Sequence, residues 1–213
     1  MGFVRKVLGI VSAQLLFTFV IVIAASYSVD FGYFCTSIGC QVTSIIVYLF
    51  SLIALMCSRG LRHSVPMNYI VLLVFTASLA FMVAGFTAWL TPVSVMISIG
   101  VLALVLTCMF GAYLIIPNKA QAAKGLIIAM IAALFIQFVL KISMLIAGYV
   151  QGMWILYCTL GIVICMGLIY FDLFVIMLAG KYAMDEYIYC AILLYVDIIR
   201  MLLYILMIFG KSK

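Results

Sequence analysis

Four ionisable side chains stand inside long apolar stretches of this 213-residue chain: Lys141, Asp172, Asp197 and Arg200. A charge at the centre of a membrane-spanning helix costs about 2.5–3.5 kcal/mol on insertion scales, and by default it marks function. Such groups persist only if they satisfy one another or line a wet cavity. Asp172 and Asp197 are the most informative pair. Asp172 lies shortly before a polar break over 180–186, and Asp197 lies well inside the apolar run that follows it. At about 1.5 Å of rise per residue, both fall roughly 10–15 Å deep from the same side. A short connection makes two helices antiparallel neighbours, so the carboxyl groups are expected to meet across one interface. Two carboxyl groups that close do not easily both ionise; they share a proton and titrate as a pair. The chemistry this permits is a proton- or cation-controlled latch between two helices. The plainer alternative is that each aspartate bonds a neighbouring helix and only holds the bundle together.

Arg200 follows Asp197 by three residues, on nearly the same helix face. If it pairs with Asp197 it holds that carboxylate ionised and weakens proton sharing; otherwise it points away to another partner. Lys141 lies near the end of its apolar run, and its flexible stem is expected to carry the ammonium to the interface.

The elements that must position these groups follow from composition. The chain is 70% hydrophobic and 8% charged, with a mean hydropathy of +1.48, whereas a globular domain is roughly 45–50% apolar and about a quarter charged. That excludes a soluble enzyme, a disordered chain and a nucleic-acid module. Apolar runs predict seven spans, at about 7–29, 43–57, 66–89, 93–116, 125–147, 153–178 and 187–209, in a single domain over 1–213. The fold class is an all-α integral membrane bundle. Small residues at Ala24-Ala25-Ser26 suit a signal-peptide cleavage site, yet the first run, at about 23 residues, far exceeds the roughly 7–15 of a signal peptide's apolar region. It is expected to stay as a helix.

Charge sets the orientation. Arg5, Lys6, Arg59, Arg62, Lys119, Lys124 and Lys181 fall on one side, against Lys211 and Lys213 on the other. That bias predicts a cytosolic N-terminus and an outside or lumenal C-terminus. The net charge of +6 is thus a topology signal. Cys35 and Cys40 share the first non-cytosolic loop, where an oxidising lumen permits a disulfide that the spacing does not demand. The other five cysteines sit in or at the ends of apolar runs. The only histidine is His63, and neither a metal-ligand cluster nor a Gly-rich phosphate loop is apparent. No cofactor is expected.

Three motif groups, in order, resemble the Bax inhibitor motif family, most closely its lifeguard-like branch. The opening Val4-Arg5-Lys6-Val7 with Gln14-Leu15-Leu16-Phe17-Thr18 is similar to the family's Arg-Lys-Val … Gln-Leu-Leu-x-Thr. Arg62-His63-Ser64-Val65-Pro66-Met67-Asn68, leading to Phe75-Thr76, resembles its Arg-x-x-x-Pro-x-Asn segment. The last group is the most specific: Phe171-Asp172, Gly180-Lys181, Glu186-Tyr187-Ile188 and Leu194-Tyr195-Val196-Asp197-Ile198-Ile199.

The resemblance implies seven helices with one surrounded by the rest, residence in endoplasmic reticulum, Golgi or plasma membrane, and a pH-sensitive calcium leak that modulates cell death. It carries the family's two acidic gate residues onto Asp172 and Asp197, which would also contact permeant calcium transiently. It implicates a basic residue near the second turn, Arg59 or Arg62, in the latch. The implied partners are the lipid bilayer, calcium ion and apoptosis-related membrane proteins; the alternative is a scaffold that acts through such partners without conducting. The departures are specific. Leu173-Phe174 replaces the usual Thr-Gln after the first aspartate, and Arg200 stands where an Asn is common. A cation there would repel calcium. The cytosolic N-terminal extension of longer lifeguard-like members has no counterpart, so partner binding through it is not expected. Two aspartates on adjacent helices also suit an intramembrane aspartyl protease. Those enzymes resemble one another through Gly-x-Gly-Asp, and Leu194-Tyr195-Val196-Asp197 has no glycine, so no enzymatic activity is expected.

Overall fold

The computed structural model describes residues 2–57, 64, 66–115, 119–147, 151–182 and 187–212. Among these it forms eight helices: α1 Gly2–Tyr27, α2 Val29–Thr36, α3 Ile38–Cys57, α4 Met67–Thr87, α5 Pro92–Ile115, α6 Lys119–Ala147, α7 Gln151–Tyr182 and α8 Tyr187–Phe209. Seven are long and apolar enough to cross a membrane; α2 is not. A spanning segment must satisfy its backbone polar groups internally, which is why a chain this apolar becomes helices. Large side chains such as Leu16, Val20, Phe50 and Leu145 are exposed, as expected of a surface solvated by lipid.

The helix ends depart from the predicted spans at identifiable residues. The first run does not continue to 29, because Ser28 leaves the helix at φ −91°, ψ 118° and its side chain accepts from the Phe31 N–H. Ser37 repeats the device: its hydroxyl oxygen accepts from the Cys40 N–H and opens α3 at Ile38 rather than at 43. Serine competes with the helix for its own backbone donors and so caps the next one. The connection between the first two spans is therefore mostly the helix α2. Gln41 closes this corner, donating to the carbonyls of Cys35 and Phe81 at 2.6 and 3.2 Å. Cys35 and Cys40 are both free thiols. Pro66 stands immediately before α4 as its N-cap, where its missing N–H removes no helical bond. Helix α7 runs to Tyr182, beyond the predicted end at 178.

Helix α8 is the centre. Twelve of its 23 residues are buried, and it packs against α1, α4, α5 and α7. Helices α3 and α6 are peripheral, against α4 and α7 respectively. At one end of the bundle Lys6 sits over the Tyr187 ring and Tyr69 contacts Tyr187, so α1, α4 and α8 all begin there. At the other end Leu90 bridges to Ser212, and the Thr91 N–H donates to the Lys211 carbonyl at 2.8 Å. The third and seventh spans thus end on one face, as alternating crossings require, and the two termini lie on opposite faces.

Candidate functional site

Asp172 on α7 and Asp197 on α8 face one another across the interface of the two helices, close enough for their carboxyl groups to interact. What brings them together is close approach of the two helices. A Cβ on Gly161 would stand 2.6 Å from the Tyr204 ring, so hydrogen at this position of α7 lets the ring lie directly against the helix. Small residues commonly license such contacts between membrane helices. On the α7 side the surroundings are apolar, with Leu173 buried and Phe174 packed on the core. The Asp172 Oδ2 is buried and makes no hydrogen bond.

Arg200 resolves the two alternatives by joining the pair. Its Nη1 lies 3.6 Å from Asp197 Oδ1, an ion-pair contact beyond hydrogen-bond length. The Arg200 side chain is 53% exposed and that of Asp197 13%. Asp197 therefore faces a neighbouring carboxyl on one side and a half-exposed guanidinium on the other. With one proton held by the carboxyl pair and Arg200 charged, the triad Asp172–Asp197–Arg200 would sum to zero charge, the inexpensive state at membrane depth. Tyr48 of α3 and Cys165 of α7 lie within electrostatic reach of Arg200.

The other candidates separate from this centre. Lys141 is exposed on α6, and its Nζ lies 5.3 Å from the centroid of the Tyr157 ring. That is a cation–π contact. Arg59 and Arg62 lie outside the described residues. Among the described residues, no three His, Cys, Asp or Glu side chains gather as metal ligands. Calcium takes 6–8 oxygens, so Asp172 and Asp197 offer a passing ion only a partial shell.

A second buried polar feature escaped the charge-based reading. Gln14 on α1 donates to Thr76 Oγ1 on α4 at 2.7 Å, and Thr18 on α1 meets the Tyr195 hydroxyl on α8 at 2.7 Å. Thr18 already donates to the Gln14 carbonyl, so Tyr195 donates to Thr18. These bonds tie three helices together two residues away from Asp197. Gln14 and Thr18 are one turn apart in an otherwise apolar run, which is the available sequence signal. In the sequence both belong to the opening motif that runs from Gln14 to Thr18.

With this arrangement established, comparison with known proteins is decisive about kinship. The family model described as inhibitor of apoptosis-promoting Bax1 matches residues 1–213. The chain belongs to that family. Among curated Bax inhibitor-like relatives, Protein LIFEGUARD 4 of Arabidopsis thaliana is 31% identical over 100% of this chain and 85% of its own length. Protein LIFEGUARD 2 and Protein LIFEGUARD 3 of the same plant are 29% and 30% identical, each over 96% of this chain. No solved structure gives a significant match. The chain is an integral, multi-pass membrane protein of the Bax inhibitor type.

Proposed function

We propose that this Bax inhibitor-type protein is a passive, proton-controlled calcium leak that modulates calcium stores and cell death. The contact of Asp172 with Asp197 is its closed latch. The observation that supports the reading is that two scarce acidic side chains, on separate spans, face one another across the α7–α8 interface, close enough to interact. With one shared proton and Arg200 charged, the triad is neutral and α7 stays against α8. Loss of that proton leaves two anions facing one guanidinium. Their repulsion in a medium of low dielectric parts the helices and exposes carboxylates that attract a cation. The test is calcium uptake by proteoliposomes across a pH series, comparing the wild type with Asp172→Asn and Asp197→Asn. Flux that is the same in all three at every pH would sink the latch.

A second reading draws on Arg200. A guanidinium 3.6 Å from Asp197 and half exposed puts a fixed cation where calcium would approach. That favours a non-conducting scaffold acting on cell death through apoptosis-related membrane partners. Flux indistinguishable from empty liposomes, with a partner recovered by crosslinking, decides for the scaffold. A rise in flux on Arg200→Asn decides for a leak that Arg200 restrains. The proposed setting is endoplasmic reticulum, Golgi or plasma membrane, with the lysine- and arginine-rich face in the cytosol.

A further inference from the structure

Helix α6 packs on α7 at the edge of the bundle, yet one of its side chains reaches past α7 to the central helix. Between Gly125 and Leu140 every residue of α6 is apolar except Gln137. That amide is buried, at 9% exposure. It donates to the Tyr204 hydroxyl on α8 at 3.1 Å and to the Tyr157 carbonyl on α7 at 3.4 Å. A buried amide in an apolar span is costly unless its hydrogen bonds are made, so Gln137 is fixed where it can hold Tyr204.

The Tyr204 ring fills the seam between α7 and α8. It lies directly against Gly161, and the Tyr157 ring stands edge-on to it, with centroids 6.1 Å apart and planes at 66°. Trp154 stacks on Tyr157 in turn, at 6.1 Å and 25°. Tyr204 follows Asp197 by seven residues, two helical turns. It therefore lies on the same face of α8, about 10 Å nearer the C-terminal end of the bundle. Cys165 of α7 is fully buried; it interacts with Tyr204 and also with Asp197 and Arg200. The order along the seam is thus the Asp172–Asp197 pair, then Cys165, then Tyr204.

We propose that Tyr204, held by Gln137, is a second closure that shuts the α7–α8 seam between the Asp172–Asp197 pair and the C-terminal end of the bundle. Its meaning as a gate rests on the leak reading above; the sealing itself does not. The two closures differ in chemistry. The aspartate pair is a charged closure set by its protons, whereas Tyr204 is a neutral, steric one set by a single amide bond and a glycine-sized seat. A path along this seam needs both released, and α6, otherwise a peripheral span, acquires a part in it through Gln137.

Native Cys165, lying between the two closures, is the reporter. The full chain in oriented proteoliposomes is treated from its C-terminal side with membrane-impermeant 2-sulfonatoethyl methanethiosulfonate, and labelling is resolved by site. Cys165 should label slowly in the wild type. Tyr204→Phe and Gln137→Leu each delete the hydrogen bond and should speed it about fivefold. Tyr204→Ala removes the ring and should speed it about a hundredfold. Cys190, buried toward the other end of α8, should keep its wild-type rate throughout, which separates an opened seam from a loosened fold. Fast wild-type labelling of Cys165, an unchanged rate in every variant, or an equal rise at Cys190 would overturn the proposal. Calcium uptake by the same vesicles, at a pH where the wild type conducts, should rise in Tyr204→Ala; an unchanged flux would overturn the gate. Exposure of Cys165 with no flux in any chain would refute the leak and leave the closure standing. Tyr204→Phe and Gln137→Leu keep the test decisive if Tyr204→Ala does not fold.

Discussion

Replacing Asp197 by Asn should destabilise this protein more than the same replacement at Asp172, although the two carboxyl groups interact. Asn at 172 keeps an N–H able to donate to Asp197, and the Asp197–Arg200 pair stays neutral, so the loss should stay below about 1 kcal/mol. Asn at 197 leaves Arg200 without a counter-ion. At 3.6 Å, with an effective dielectric of 20, the lost attraction is about 4–5 kcal/mol before desolvation is counted. The insertion cost of an unpaired charge at a helix centre, about 2.5–3.5 kcal/mol, sets a second bound. Because Arg200 is 53% exposed, its stem can swing and recover part of this, leaving about 2 kcal/mol. For a chain of this size that corresponds to roughly 4–8 °C in Tm. The assay is thermal unfolding in lipid nanodiscs at neutral pH, with Arg200→Gln and the Asp197→Asn/Arg200→Gln double variant completing the cycle. The double variant should regain most of the loss, with a coupling of about 1–2 kcal/mol. Equal losses for the two Asn replacements, or a double variant that is simply additive, would refute the assignment of the charge to Asp197 and its neutralisation by Arg200.

Other consequences are as concrete. Tyr195→Phe deletes the 2.7 Å bond to Thr18 and should lower stability by about 0.5–1.5 kcal/mol, read by thermal unfolding. Gly161→Ala puts a methyl 2.6 Å from the Tyr204 ring; overpacking there should cost about 1–3 kcal/mol and weaken the α7–α8 contact, read as faster crosslinking-detected separation of the two helices. Burial, aided by the neighbouring Cys40, pushes the Cys35 thiol up to about 11. Its reactive thiolate is therefore scarce at neutral pH, so site-resolved maleimide labelling should spare Cys35 near pH 7 and accelerate steadily as pH rises toward that value; rapid labelling at neutral pH would count against its burial. Tags on the two termini should be accessible from opposite sides of the membrane, and finding both on one side would overturn the seven-span topology.

Class and span count were legible because they depend on composition and local pattern alone. With 70% apolar residues and runs long enough to cross, an unsatisfied backbone in lipid leaves helices as the open choice. Asp172 and Asp197 stood out for the same reason: charge in an apolar run is expensive wherever the run ends up. Their meeting was also foreseeable, because a short connection constrains its two helices to be neighbours. Helix ends were less legible, since Ser28 and Ser37 act through individual cap bonds that hydropathy does not register.

Three things only the tertiary structure decided. Arg200 is compatible on spacing with pairing to Asp197 or with turning away, and only the placement of α8 among α1, α4, α5 and α7 shows it contacting a carboxylate that also meets Asp172. The Gln14–Thr76 and Thr18–Tyr195 bonds join residues 62 and 177 positions apart, beyond the reach of any local pattern. The Gln14 carbonyl oxygen stays buried without a hydrogen-bond partner because the single Thr76 proton goes to the Leu72 carbonyl, a matter of contact geometry. Local chemistry thus determines what each segment must be in a membrane, whereas which polar groups satisfy one another depends on how the helices come together.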